Sequence, residues 1–145
     1  MLKAKQVADY ILSLSDPDEG DIISHLKLQK LLYYAQGFHL AIFDEPLFSE
    51  PVVAWDHGPV VESLYQVYKV HGSAAIPVPS EIDFDAFTED QKELLKEVYT
   101  TYGQYSAWRL RHMTHDEPPW ASTSRDCEIT QESMKEYFKT QLIDS

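Results

Sequence analysis

Apolar residues recur at helical spacing in several segments of the chain. The clearest segment begins near Ser24, a residue type that caps helices. It continues with an apolar face formed by Leu28, Leu31, Leu32, Ala35, Phe38 and Ile42. This pattern predicts a long central helix. Gly37 lies inside it, and because glycine costs ~1 kcal/mol relative to alanine in a helix, we predict that another element packs closely there.

Five further helices are predicted from the same spacing and from the residues at their starts. The first carries Val7, Ile11 and Leu14 on one face and should end near Ser15. The later helices should begin at residues that favour helix starts, namely Pro59, Thr88, Ser106 and Thr130.

A short strand is predicted between the second and third helices. Val52, Val53 and Trp55 are β-prone and follow Pro51, and Gly58 then supplies a turn. The pattern shows neither an internal repeat nor a flexible linker. We therefore expect a mainly α (α+β) fold, a single compact domain over residues 1–145 with about six helices and a short β-strand or hairpin.

The charge of the chain restricts its partners. Asp and Glu number 24 against 12 Lys and Arg, a net charge of -12, which disfavours direct binding to nucleic acid. Many acidic side chains fall in residues 81–90, which we expect to form a surface connection. This segment could attract a basic protein, or it could serve only solubility.

Motifs for catalysis are missing from the sequence. It has no phosphate-cradling glycine loop, no dinucleotide turn and no nucleophile elbow. The lone thiol, Cys127, lies between Asp126 and Glu128, whose charges disfavour a thiolate. We predict a protein that is not an enzyme and binds no cofactor. Because no signal peptide, membrane span or disulfide pair is evident, we expect it in the cytoplasm without a membrane partner.

One alternative is a metal-dependent hydrolase. His112, His115 and Asp116 are three or four residues apart and could share a helical face, with His57 as a fourth ligand. In the simpler interpretation, His112 is solvated, His115 bonds within its own corner and no metal is bound.

Several short motifs follow one another in the order and spacing of a known family. They are Lys27-Leu28-Gln29-Lys30-Leu31-Leu32-Tyr33-Tyr34-Ala35-Gln36-Gly37, Leu47-Phe48, Ala54-Trp55, Gly58-Pro59-Val60-Val61, Leu64-Tyr65, Thr114-His115 and Pro118-Pro119-Trp120. Through them the chain resembles, over residues 7–138, the Panacea domain family, also called SocA-like, many of whose members are labelled phage-associated proteins.

The resemblance implies an antitoxin. Many proteins of this family look like the antitoxin partners of toxins, which they neutralise by direct contact. The expected partner is a cognate toxin encoded by the adjacent gene. A prophage-borne toxin–antitoxin pair is compatible with the resemblance, and so is a proteolytic adaptor that delivers the toxin to a protease. A phage protein that binds a host factor, without any toxin, is a further alternative.

The motif residues have two interpretations. They either define a corner of the fold or bind the partner. The residues concerned are Lys30, Gln36, Trp55, Gly58, Pro59, Tyr65, Thr114, His115, Pro118 and Trp120. We expect Lys30 and Gln36 at the surface, because burial of their polar ends without partners would be costly, and most of the tryptophans in the core.

Overall fold

The computed structural model describes residues 1–142, and within that range it contains seven α-helices and three short strands. The helices are α1 (Ala4–Ser13), α2 (His25–Phe43), α3 (Glu62–Tyr68), α4 (Glu89–Tyr102), α5 (Ala107–His115), α6 (Pro118–Ala121) and α7 (Gln131–Thr140). The strands are β1 (Val52–Trp55), β2 (Gly58–Val60) and β3 (Glu128–Ile129). This mainly helical fold with a small β element confirms the predicted fold class.

Helix α2 is the centre of the fold. Ser24 caps its start as predicted, accepting a hydrogen bond from the Lys27 N–H at 3.4 Å. Asp44 ends it in a left-handed conformation with a φ of 61°. Helices α1, α4, α5 and α7 pack around it, and most of its residues are buried. A helix enclosed in this way has buried side chains on nearly every face, including positions that a one-sided pattern assigns to solvent.

Gly37 is the point of closest approach between α2 and α7. A Cβ atom at this position would lie 2.1 Å from two ring carbons of Phe138, which is itself fully buried. The two helices can therefore pack at this distance only because residue 37 has no side chain. This confirms the predicted close contact and identifies α7 as the neighbouring element.

The strands form an antiparallel sheet in the order β2-β1-β3. β1 and β2 make a tight hairpin in which Ala54 pairs with Pro59 and Trp55 with Gly58. On its other side, β1 pairs Val52 with Ile129. β3 was not anticipated in the sequence, because two residues carry no periodic pattern and gain their strand character only from pairing with β1.

The predicted start of the third helix at Pro59 is wrong. Gly58 to Val60 are strand β2, and the helix begins at Glu62. Proline has no N–H to give, but here it occupies the outer strand of the sheet, where the missing donor costs no ladder bond. The turn formed by Gly58 therefore belongs to a hairpin and not to a strand-to-helix junction.

Side-chain caps start three later helices as predicted. Thr88 Oγ1 accepts from the Gln91 N–H at 3.1 Å, and Gln91 Oε1 accepts from the Thr88 N–H at 3.0 Å, a reciprocal capping box. Ser106 and Thr130 each accept from an N–H three residues onward, both at 3.1 Å. Helix α1 ends at Ser13, slightly before the predicted Ser15.

Two apolar side chains expected inside the protein are at its surface. Trp108, on α5, is 66% exposed, and Ile42, near the end of α2, is 47% exposed. Trp55 and Trp120 are half-buried, so the prediction of a mainly core role for the tryptophans is wrong for Trp108. Its position gives α5 a large aromatic group that faces solvent.

Most of the acidic segment 81–90 forms a surface connection, as predicted, and its last two residues belong to α4. Glu81, Asp83 and Asp85 are all exposed, and the segment contains a single 3₁₀ turn at Phe84–Ala86. Within residues 1–142, none of the helices combines the length and the apolar character that crossing a bilayer requires.

Candidate functional site

Most of the predicted motif residues meet where the hairpin, α3, α5 and α6 converge. The Trp120 indole N–H donates to the Trp55 carbonyl oxygen at 2.7 Å, which ties α6 to β1. The Trp120 ring stacks on His115 with the ring centres 3.9 Å apart and an interplanar angle of 6°. Trp55 contacts Tyr65 and His57, at 4.8 and 5.6 Å between ring centres. We call Trp55, His57, Tyr65, His115 and Trp120 the tryptophan corner.

The two prolines of the predicted set have structural positions beside this corner. Pro59 is buried in β2, opposite Ala54. Pro118 is exposed and is the first residue of α6, where its fixed φ suits a helix start. The sequence predicts only a corner here, and the structure forms it as a four-residue helix.

Replacing Trp120 with alanine is expected to lower the free energy of unfolding by ~3 kcal/mol, since it removes a half-buried ring and orphans the Trp55 carbonyl. Trp120→Phe keeps most of the ring contact and should cost only ~1 kcal/mol for the lost hydrogen bond. Urea unfolding of both variants measures the difference. If Trp120→Ala keeps the wild-type stability but loses partner binding, the role of Trp120 is at an interface and not in holding the fold.

Lys30 is buried, and the prediction that it lies at the surface is wrong. It is 1% exposed, because the hairpin and α5 cover α2 at this position. Its side chain reaches the hairpin at Gly58, whose φ is 123°. A Cβ at Gly58 would lie 2.7 Å from Lys30 Cε and 3.2 Å from Thr114 Oγ1, so glycine is required both by its backbone and by the lysine.

Gln36 is also buried, which contradicts its predicted surface position. Its Oε1 accepts from the Leu47 N–H at 2.7 Å, and its Nε2 donates to the Phe48 carbonyl at 3.0 Å. Gln29 acts in the same way on Val61, accepting from its N–H at 2.7 Å. Both side-chain amides form hydrogen bonds that water would otherwise make to these buried loop backbone groups. The prediction missed this role because it considered burial only without partners.

Glu117 is a further buried polar group. Its carboxylate accepts hydrogen bonds from the Tyr33 and Tyr34 hydroxyls at 3.0 and 2.8 Å. Burial raises the pKa of Glu117 to about 7, although both hydrogen bonds oppose the rise. The only signal in the sequence is the adjacent pair of tyrosines, which is compatible with many other arrangements.

Basic side chains gather at the tryptophan corner, and two of them, His57 and His115, are part of it. We call His25, Lys30, His57, Arg111 and His115 the basic cluster. Burial lowers the pKa of Lys30 to about 7, and the charge of Arg111 adds to the shift. Burial also lowers the pKa of His57 to about 4, with further repulsion from Lys30 and Arg111. Burial and nearby positive charge likewise lower the pKa values of His25 and His115.

The structure does not assemble the metal site considered in the sequence. His57 and His115 lie in the tryptophan corner, but His112 is exposed and contacts Trp108, at 4.5 Å between ring centres. Asp116 is exposed as well. Across residues 1–142, no three His, Cys, Asp or Glu side chains come together in a way that could hold a metal ion.

Comparison with known proteins identifies related sequences. A family model described as "Antitoxin SocA-like, Panacea domain" matches residues 28–121, a shorter span than the predicted 7–138. The Antitoxin SocA of Caulobacter vibrioides (strain NA1000 / CB15N) is 32% identical over 110 residues, which cover 68% of this chain and 58% of that protein. The chain thus matches little more than half the length of this relative. No solved structure matches the chain significantly.

Proposed function

The chain belongs to the SocA-like antitoxin family that carries the Panacea domain, and from this premise we propose that it binds a toxin and neutralises it by direct contact. The family match over residues 28–121 carries the proposal, because this span contains the tryptophan corner and most of α2. The proposed partner is the product of the adjacent gene.

The buried polar side chains on α2 and at the start of α6 hold the fold together. Gln29, Gln36 and Glu117 are bonded to the backbone or to tyrosines inside the fold. The proposed mechanism is occlusion, in which one face of the helical domain covers the active or target-binding surface of the toxin.

The exposed face of α5 is the proposed anchor for the toxin. Trp108 is 66% exposed, and the guanidinium carbon of Arg111 lies 5.9 Å from its ring centre. Tryptophan and arginine are the residue types that most often dominate binding at protein interfaces. An exposed indole next to a cation is therefore suited to bind a partner, and its loss should leave the core intact.

The variant Trp108→Ala is expected to change the free energy of unfolding by less than ~0.5 kcal/mol, because the side chain is mostly in solvent. Toxin binding should weaken by ~2 kcal/mol or more, the usual effect of removing an interface anchor. Urea unfolding and titration calorimetry measure the two quantities. The control is Ile42→Ala, which removes another exposed apolar side chain from a different helix. Equal toxin affinity of Trp108→Ala and wild type would place the interface elsewhere.

The acidic segment should speed the encounter with a basic toxin. Glu81, Asp83 and Asp85 are exposed, and a chain of net charge -12 creates a long-range negative potential. Neutralising all three with Glu81→Gln, Asp83→Asn and Asp85→Asn should slow association most at low salt, where screening is weak. Stopped-flow association at several salt concentrations measures this. Rates that match wild type at low salt would leave solubility as the role of the segment.

Growth of bacteria tests the proposed function. The adjacent reading frame is expressed alone, together with this chain, and together with the Trp108→Ala variant. We expect arrested growth with the neighbour alone and rescue with the wild-type chain. A harmless neighbour would contradict the toxin–antitoxin proposal. Rescue with a fall in the level of toxin, but without a stable complex, would favour the adaptor to a protease over occlusion.

A further inference from the structure

Five basic side chains meet at one place in a chain whose net charge is -12. His25 and Lys30 come from α2, Arg111 and His115 from α5, and His57 from the hairpin turn. Each of the three histidines is within electrostatic reach of Lys30, and two of them are within reach of Arg111. Assembling positive groups inside an acidic protein costs free energy, so their convergence calls for an explanation.

Several nitrogen atoms of this cluster lack hydrogen-bond partners. Nδ1 of His25, Nδ1 of His57 and Nε2 of His115 are buried without a partner. Lys30 is 1% exposed and forms no hydrogen bond or ion pair with any side chain or backbone group in residues 1–142. More than nine in ten buried polar groups are satisfied in folded proteins, so three unpartnered histidine nitrogens beside an unpaired lysine indicate that something else completes the site.

The ammonium group of Lys30 points toward the hairpin turn. Its Nζ atom lies 3.3 Å from the position where a side chain at Gly58 would begin. The missing side chain at Gly58 thus makes room for the lysine itself, next to the residue that carries the His57 ring. Trp55, Tyr65 and Trp120 form the aromatic part of this region and are each partly exposed, so the cluster reaches the surface.

Acidic side chains near the cluster do not neutralise it. Glu117 accepts from the Tyr33 and Tyr34 hydroxyls, and Glu62 accepts from the Trp55 indole N–H at 3.3 Å. Asp56 and Asp116 are adjacent in sequence to cluster histidines but are exposed, and the charge of Asp56 offsets only part of the positive charge around His57. Among the residues that the structure describes, none pairs with Lys30 as a counter-ion.

We propose that the basic cluster binds a small oxyanion, a carboxylate or a phosphate group. Lys30 Nζ would donate to it as the main cation, and the rings of His57 and His115 would donate through Nδ1 and Nε2, which take up a proton when the anion binds. Hydrogen bonds from charged donors to such oxygens are roughly twice as strong as neutral ones. The oxyanion comes either from a free molecule or from an acidic group of a bound protein. The site is present in the isolated chain and does not depend on the toxin proposal.

The test is NMR of the histidine rings of the purified chain during titration with sodium phosphate and, separately, with sodium acetate. Ionic strength is held constant with sodium chloride. We expect saturable shifts of the His25, His57 and His115 ring signals. His39, which bonds to the Glu45 carbonyl, and His112, which is exposed, are internal controls that should not move in the same saturable way.

Variants make the test specific. Lys30→Met should abolish the saturable shifts, whereas Lys96→Met, which removes the same charge from an exposed position on α4, should titrate as wild type. If Lys30→Met fails to fold, His57→Gln at the half-buried turn should weaken anion binding by ~10-fold. The proposal is overturned if neither anion gives saturable shifts, if His39 and His112 respond like the cluster, or if both cluster variants bind as wild type.

A competition experiment identifies the source of the anion. If the product of the adjacent gene displaces bound phosphate, the natural ligand is an acidic group of the partner protein. If phosphate stays bound in the complex, the natural ligand is a free anion. Either result is compatible with an anion site. If the toxin does not bind, the phosphate and acetate titrations are unaffected. The anion-site proposal and the toxin proposal are therefore tested independently.

Discussion

Replacing Gly37 with alanine is expected to destabilise the protein by up to ~2 kcal/mol. The new methyl group would lie 2.1 Å from Cδ2 and Cε2 of Phe138, far inside contact distance. Phe138 is fully buried and packs edge-on against Tyr33 and Tyr34, at 5.4 and 5.8 Å between ring centres, so it has no free space to enter. Overpacking of this kind costs ~1–3 kcal/mol, and alanine's better helix propensity offsets ~1 kcal/mol. Urea unfolding measures the change.

A double-mutant cycle separates this clash from other effects. In the background of Phe138→Ala, which alone should cost ~3–5 kcal/mol, the ring that obstructs residue 37 is gone. Gly37→Ala should then be neutral or stabilise the protein by up to ~1 kcal/mol through helix propensity. An equal loss of stability in both backgrounds would show that contact with α7 is not the reason for glycine at this position.

Replacing Lys30 with methionine is expected to stabilise the protein strongly at neutral and acidic pH. The lysine is buried with a pKa lowered from 10.5 to about 7 by burial and by Arg111, so protonation opposes folding. Between these two values the unfolded chain binds a proton that the folded protein does not, and wild-type stability should rise with pH by up to ~1.4 kcal/mol per unit. Methionine fills a similar volume without the charge.

The expected result is a gap between the two stability curves that depends on pH. The advantage of Lys30→Met should be largest below pH 7, where the full cost of the buried charge is present, and should vanish as pH approaches 10.5. His25, His57 and His115 have lowered pKa values and titrate below this window. Glu117 is present in both proteins, so its titration cancels in the difference.

The measurement is urea unfolding at pH values from 6 to 10, in buffers without phosphate or carboxylate, which could bind the basic cluster. Lys96→Met, which removes an exposed lysine, is the matched control and should follow the wild-type curve. Parallel curves for wild type and Lys30→Met would contradict the lowered pKa and the description of Lys30 as a buried lysine without a counter-ion.

Local signals in the sequence predicted most of the helices correctly. The caps at Ser24, Thr88, Ser106 and Thr130 each bond to an N–H only three residues away, so the sequence contains both members of each interaction. Gly37 was also informative, because a glycine inside a strong helical pattern needs a reason. The neighbour, Phe138, could not be named from the spacing alone.

Features that depend on distant contacts were mispredicted. β3 exists only because it pairs with β1, which lies far from it in the sequence. Lys30 was assigned to the surface from its chemical type, but the hairpin and α5 cover it, and no local pattern reports how many neighbours a helix will have.

The candidate site was predicted only in part. The motif residues of the tryptophan corner were selected from the sequence, and the structure brings Trp55, Tyr65, His115 and Trp120 together. The basic cluster could not be derived, because His25 and Arg111 lie outside those motifs and approach Lys30 only when α2, α5 and the hairpin pack. Convergence of charge from separate elements is a property of tertiary structure.

Direct binding between the purified chain and the purified product of the adjacent gene tests the central claim of toxin neutralisation. The two proteins are mixed at several salt concentrations, and complex formation is measured by calorimetry while the activity of the toxin is assayed in the same samples. The account predicts a stable complex in which toxin activity is lost in proportion to the chain added. Full toxin activity with no complex at any salt concentration would contradict it.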